Sequence, residues 1–184
     1  HQSAINNTLE QLVPRDAPMP INEVITRAAS MFGQSIVIPE DVPGDVTIQF
    51  ARTRPITAEI EDGRLWVTLR VVKLSREEGM ALTNFIVRAA YLPDGLQASL
   101  VRDGHLRISG PGMSMRERLP VRAIFNKVLS ADRPLPMTLP SLVDHPAMEG
   151  LAISQFELRG GWIGIAISES DAPRVAMQEN SSQH

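Results

Sequence analysis

Between Val46 and Leu74 apolar and polar residues alternate with a period of two, and the alternation turns back on itself at Asp62-Gly63. That dipeptide suits the positive φ values of a two-residue type I′ turn. With the turn placed there, Ile60 pairs with Leu65, Ala58 with Val67 and Ile56 with Leu69, and all six side chains share one face. The other face carries Thr57, Glu59, Glu61, Arg64, Thr68 and Arg70, with Trp66 among them. A slip of one residue would send the two apolar rows to opposite faces, so turn and pattern specify one register. Alternation also predicts a strand from Val46 to Ala51, with Val46, Ile48 and Phe50 on one side, and another from Thr83 to Leu92, closed by a turn at Pro93-Asp94-Gly95. A second hairpin is expected from Leu96 to Arg102 and Leu106 to Ser109 about Asp103-Gly104. A last one spans Leu151 to Ser168, where Gly160-Gly161 sets Leu158 opposite Ile163 and Phe156 opposite Ile165.

Helical spacing appears in three places. Residues Ser3 to Val13 put Ile5, Leu9, Leu12 and Val13 on one side, with Ser3 placed to cap the first turn. From Ile21 to Phe32 the apolar positions follow i, i+3, i+4, i+7, i+8 and i+11, and Gly33 is suited to end the helix. Ser114 and Glu117 have capping-box spacing, but Pro120 would then fall inside the helix and remove a donor, so the third helix is expected to start near Pro120 and bury Val121, Ile124, Phe125, Val128 and Leu129. The segment Pro134 to Pro140 reads as an extended connector. Strands joined by hairpins and flanked by striped helices predict an α+β fold, a curved antiparallel sheet packed against amphipathic helices. One domain over residues 1–168 and a polar, disordered tail over 169–184 are expected.

Composition narrows the chemistry. Eighteen basic and 21 acidic residues give a net charge of −3, which provides no long-range pull on nucleic acid or anionic lipid and leaves room only for local patches. Arg52, Arg54, Arg64, Arg70 and Lys73 are interleaved with Glu59 and Glu61, a pattern for cross-strand ion pairs. There is no cysteine, and no apolar run reaches the roughly 18 residues of a membrane span. His1, His105, His145 and His184 contain no pair at helical metal-ligand spacing, and the acidic group Glu40, Asp41 and Asp45 lacks the alternation of a calcium loop. Gly110-Pro111-Gly112 has no following lysine to make a phosphate cradle. The chain is accordingly expected to be neither an enzyme nor a cofactor carrier.

The run Asn6-Asn7-Thr8-Leu9-Glu10-Gln11, the strand entry at Val46 to Phe50 with Arg54-Pro55, the tip Asp62-Gly63-Arg64-Leu65 and the closing Gly161-Trp162-Ile163-Gly164 resemble an uncharacterised family of bacterial envelope-associated proteins. The layout of a helix along a curved sheet is similar to the tubular lipid-binding (TULIP-like) superfamily, whose members carry an acyl chain in an apolar groove. These resemblances imply an exported or envelope domain that binds a lipid or other apolar ligand between sheet and helices. The alternative is an interaction or scaffold module that uses the exposed sheet face or edge to hold a protein partner. Trp66, Met113, Met115, Leu135, Met137, Leu139 and Trp162 fall outside the regular apolar rows and are the candidate lip for such a ligand or partner.

Overall fold

A computed structural model describes residues 1–14, 17–31, 38, 40, 42–77, 79–94, 99–137, 146 and 151–169. The central hairpin, β3 (Ile56–Glu61) and β4 (Arg64–Arg76), has the predicted register, with Ile56 opposite Leu69, Ala58 opposite Val67 and Ile60 opposite Leu65. Asp62 and Gly63 both have positive φ, 50° and 70°, as a type I′ turn requires. β4 is longer than β3, and the rest of the same edge is taken by β2 (Val46–Phe50), which pairs antiparallel from Val71 to Arg76. β2 and β3 therefore lie end to end along one strand. Arg70 bridges the gap between them: its carbonyl accepts from Ala51 N–H at 2.9 Å and its own N–H donates to Pro55 O at 2.8 Å.

On the other side β4 pairs with the 14-residue β5 (Ala81–Asp94), and β5 with β6 (Ser99–Ser109). Short β1 (Met19–Pro20) and β7 (Leu135–Pro136) complete a seven-stranded antiparallel sheet. The sheet is strongly curled. At the level of Val72 and Asn84 the inward parity of both long strands switches, from Val71 to Leu74 in β4 and from Phe85 to Leu82 in β5, and Asn84 has φ 55°. β2 shifts register at Gln49/Phe50 beside the same point.

The expected second hairpin is a correction. Ser99 to Ser109 does not reverse at Asp103-Gly104; β6 runs through it as one strand with a bulge, and Leu96 lies outside the described residues. Ala90 faces Asp103 and Arg88 faces Arg107, so Ala89 alone spans Gly104, His105 and Leu106. A glycine bulge and a type I′ turn both place a residue at positive φ, here 67° at Gly104, and β5 is long enough to pair with both halves. Leu100, Leu106 and Ile108 all reach the interior. The turn expected at Pro93-Asp94-Gly95 is also displaced, because Pro93 and Asp94 remain paired with Leu100 and Ser99, and Gly95 lies outside the described residues.

Two helices, α1 (Gln2–Leu12) and α2 (Ile21–Met31), follow the predicted spans, although His1 rather than Ser3 caps α1, its Nδ1 accepting from Ser3 N–H at 3.2 Å. The third, α3 (Met115–Val128), starts earlier than expected, at the full capping box: Ser114 Oγ accepts from Glu117 N–H, and the Glu117 carboxylate accepts from Ser114 N–H at 2.7 Å. Pro120 stands inside the helix. One missing donor is outweighed by the satisfied cap and by burial of Val121, Ile124 and Phe125, the last making an edge-on contact with Phe85 at 6.4 Å. α1, α2 and α3 all contribute to one core inside the curl, lined by Ile48, Leu69, Val87 and Leu100. The extended connector includes the two-residue strand at Leu135-Pro136, paired with Ser99 and Leu100.

The last hairpin, β8 (Leu151–Arg159) and β9 (Trp162–Glu169), has the predicted pairs and positive φ at Gly160 and Gly161. It forms a separate two-stranded sheet packed against β3 and β5. Glu169 pairs with Leu151, so the last strand takes in the first residue assigned to the tail, and 170–184 lie outside the described residues. The readings made for Gly33, Asp41, Leu139, His145 and His184 also lie outside them.

Candidate interaction surfaces

An antiparallel sheet that stops at an edge strand leaves a row of unpaired N–H and C=O groups. On β3 that row is taken by α1. The Asn6 side chain donates to Ala58 O at 2.9 Å and accepts from Ala58 N–H at 2.7 Å, as a neighbouring strand would, and Gln2 Oε1 accepts from Ile60 N–H at 2.8 Å. Gln2 and Asn6 are one helical turn apart, which puts both amides on the side of α1 that meets the strand. The start of α1 is held in turn by the β8–β9 tip. Gln2 N–H donates to Gly161 O at 2.8 Å, and the His1 ring meets Trp162 edge-on at 4.9 Å.

The β8–β9 hairpin is the most apolar exposed element described. Its inward face carries Leu151, Ile153, Phe156, Leu158, Ile163, Ile165 and Ile167 by register. Phe156 and Leu158 are buried in the core, whereas Leu151, Ile165 and Ile167 are 36–40% exposed. The same face that is dry near the tip therefore runs beyond the sheet that covers it. Trp162, on the other face at the tip, is 61% exposed.

The outer face of the main sheet is polar. Trp66 is half-buried between two guanidiniums, Arg88 at 4.4 Å and Arg107 at 4.7 Å from its ring. Arg88 also meets Glu59 at 3.6 Å and Glu61 at 3.9 Å, Arg54 meets Glu59, and Arg64 pairs with Asp103 at 2.8 Å. Of the basic residues expected to pair with Glu59 and Glu61, only Arg54 meets one of them among the described residues; the cross-strand partner of both glutamates is Arg88 of β5, Arg64 pairs with Asp103 of β6, and Arg70 bonds a carbonyl and a hydroxyl instead. Thr57 and Thr68 are buried beneath this layer, and Arg70 donates to Arg54 O and to Thr57 Oγ1. Exposed ion pairs of this kind contribute about 0–1 kcal/mol each. Farther along the same face an open depression of about 450 Å³ is lined by Ala51, Arg70, Val72, Asn84, Ile86 and Pro111.

The candidate lip residues do not converge. Trp66 is held in the outer charge layer, Trp162 at the hairpin tip beside α1, and Met115 on the exposed side of α3. Met113, Leu135 and Met137 are partly buried and pack against the core. Trp66 is thus a structural centre for two cations, not an open apolar surface. The aliphatic residues that do form an exposed row, Leu151, Ile165 and Ile167, were legible as strand residues but not as surface. Alternation assigns them to the face of Phe156, and only the extent of the covering sheet shows where burial ends.

Between sheet and helices, where an acyl chain was expected, Phe85, Phe125, Val121 and Ile124 are buried in the core. Tyr91 lies in the same core at 1% exposure, and burial pushes its phenol up to about 12 against a weaker opposing pull from Arg102. Among the described residues no cluster of His, Asp and Glu has metal-site geometry, and no helix is long and apolar enough to cross a membrane. His105 is exposed in the β6 bulge. No protein-family model matches the chain, and comparison with curated proteins and with solved structures finds no match either.

Proposed function

We propose that this chain is a protein-interaction module whose docking element is the β8–β9 hairpin. The observation that carries the reading is the row Leu151, Ile165 and Ile167, left 36–40% exposed on the face whose Phe156 and Leu158 are buried and whose Ile153 and Ile163 are partly buried. An isolated two-stranded hairpin is marginal in water. Here its tip is fixed by the core and by α1, so the row is presented on a preorganised support, which lowers the ordering cost of binding. The β3 edge is already taken by Asn6 and Gln2, which favours the hairpin face over that edge as the contact.

The test is site-specific photo-crosslinking from Ile165 in cells, compared with the exposed polar position Gln155 on the opposite face. A discrete crosslinked species from Ile165, weakened by Ile167→Ser, is the expected result. Equal or no crosslinking at the two positions would sink the reading. A second reading, binding of an apolar small molecule, is supported by the depression beside Val72 and Ile86, whose volume falls within the usual range for ligand sites. Native mass spectrometry of freshly purified protein tests it, with a copurified adduct lost in Ile86→Arg as the supporting outcome. A location in the bacterial envelope rests on the motif resemblance alone.

A further inference from the structure

The exposed side of α3 has a composition that helix stability does not explain. Met115 and Leu119 are 68% and 58% exposed, the largest values among the exposed apolar side chains of the main fold. At i, i+4, i+7 and i+11, Met115, Leu119, Arg122 and Asn126 form one stripe along the helix, flanked by exposed Arg116 and Lys127. Arg116 and Arg118 are in the first turn and a half, where the helix dipole disfavours cations. The one acid of the helix, Glu117, is turned to the Ser114 cap and is half-buried. Arg116, Arg122 and Lys127 have no ion-pair partner among the described residues. On α3 of a protein of net charge −3, three exposed cations and two long flexible apolar side chains thus share one side, with no exposed carboxylate within the helix itself; exposed Asp132 lies beyond its C-terminal end.

We propose that this face of α3 docks on an anionic lipid bilayer surface. Charge complementarity selects the occupant: a plane of lipid phosphates receives Arg122 on the stripe and Arg116 and Lys127 beside it, and the interface below it receives Met115 and Leu119 while arginine stems lie along the boundary. Each basic residue near such a surface strengthens partitioning roughly five-fold at moderate salt. This surface is distinct from the β8–β9 row, and the proposal stands or falls independently of it.

The experiment is flotation of the full chain with vesicles of phosphatidylcholine alone and with about 30 mol% phosphatidylglycerol, across a salt series. Partitioning into the anionic vesicles alone, falling as salt rises, is expected. Arg116→Gln with Arg122→Gln should weaken it roughly 25-fold and Leu119→Ser should weaken it further. These side chains are exposed, and an unchanged melting temperature confirms that the fold is kept. Equal partitioning into neutral vesicles, no partitioning at low salt, or full binding by the arginine variant overturns the proposal. So does binding of polyglutamate with the same arginine dependence and no vesicle binding, which would assign the face to an acidic protein. Should a variant melt lower, the comparison of neutral with anionic vesicles for the unsubstituted chain decides the matter alone.

Discussion

At the scale of single residues, the buried phenol of Tyr91 gives the clearest pH dependence. Its pKa is raised from 10.0 to about 12, so the folded state holds the proton over a range in which the unfolded chain has released it. Stability from this group is complete below pH 10 and is lost as pH rises through the folded value. The loss is about 3 kcal/mol at most, from two units of displacement. Tyr91 is the one tyrosine in the chain. Ultraviolet titration should therefore show a single late ionisation, and Tyr91→Phe should flatten the stability profile above pH 10. Asn6 supports a second prediction. Asn6→Ala removes both hydrogen bonds to Ala58 and leaves a part-buried strand edge unpaired, at a loss of about 2 kcal/mol in urea unfolding. Sedimentation velocity should show association of that variant at concentrations where the parent chain is monodisperse.

Among the elements, α3 shows two opposed local signals resolved by packing. Ser114→Ala should lower stability by about 1 kcal/mol. The Ser114 hydroxyl and amide hold the Glu117 carboxyl below its ordinary 4.5, so the cap is complete above that pH and is lost as pH falls through the depressed value. The Ser114→Ala deficit should accordingly shrink in acid. Pro120→Ala restores a helical donor and relieves its ring against the preceding turn, and should raise stability by about 1–3 kcal/mol in the same assay. The start of α3 was misread because the proline rule is local, whereas the capping box and the buried Val121, Ile124 and Phe125 act together. The β6 bulge was misread for a related reason, since Asp103-Gly104 has the same turn chemistry as Asp62-Gly63. What separates them is the length of the partner strand, a property of the sheet and not of the dipeptide. The central and last hairpins were legible because alternation and turn chemistry agreed on one register.

For the whole molecule, the α+β class and the curved sheet follow from the sequence pattern, while the places where the core ends do not. Met115 and Trp162 were visible as apolar residues outside the rows. Ile165 and Ile167 were hidden within one, and Trp66 was visible but had been denied the two arginines that cover it, because Arg88 and Arg107 come from strands distant in sequence. The end-to-end placement of β2 and β3 on β4 has one further consequence. It divides the sheet at a seam: one panel holds β2 with β1 and α2, the other β3 with α1 and the closing hairpin. Only β4 and β5 cross from panel to panel, where Asn84 and Val72 already bend them. Local opening should therefore proceed by panels. In native-state hydrogen exchange, the amides of Ile48 and Ala29 should be released together, at a different denaturant concentration from those of Ala58 and Leu9, with Val87 released last. A partner gripping either panel would then stiffen that half of the molecule and leave its neighbour free to breathe.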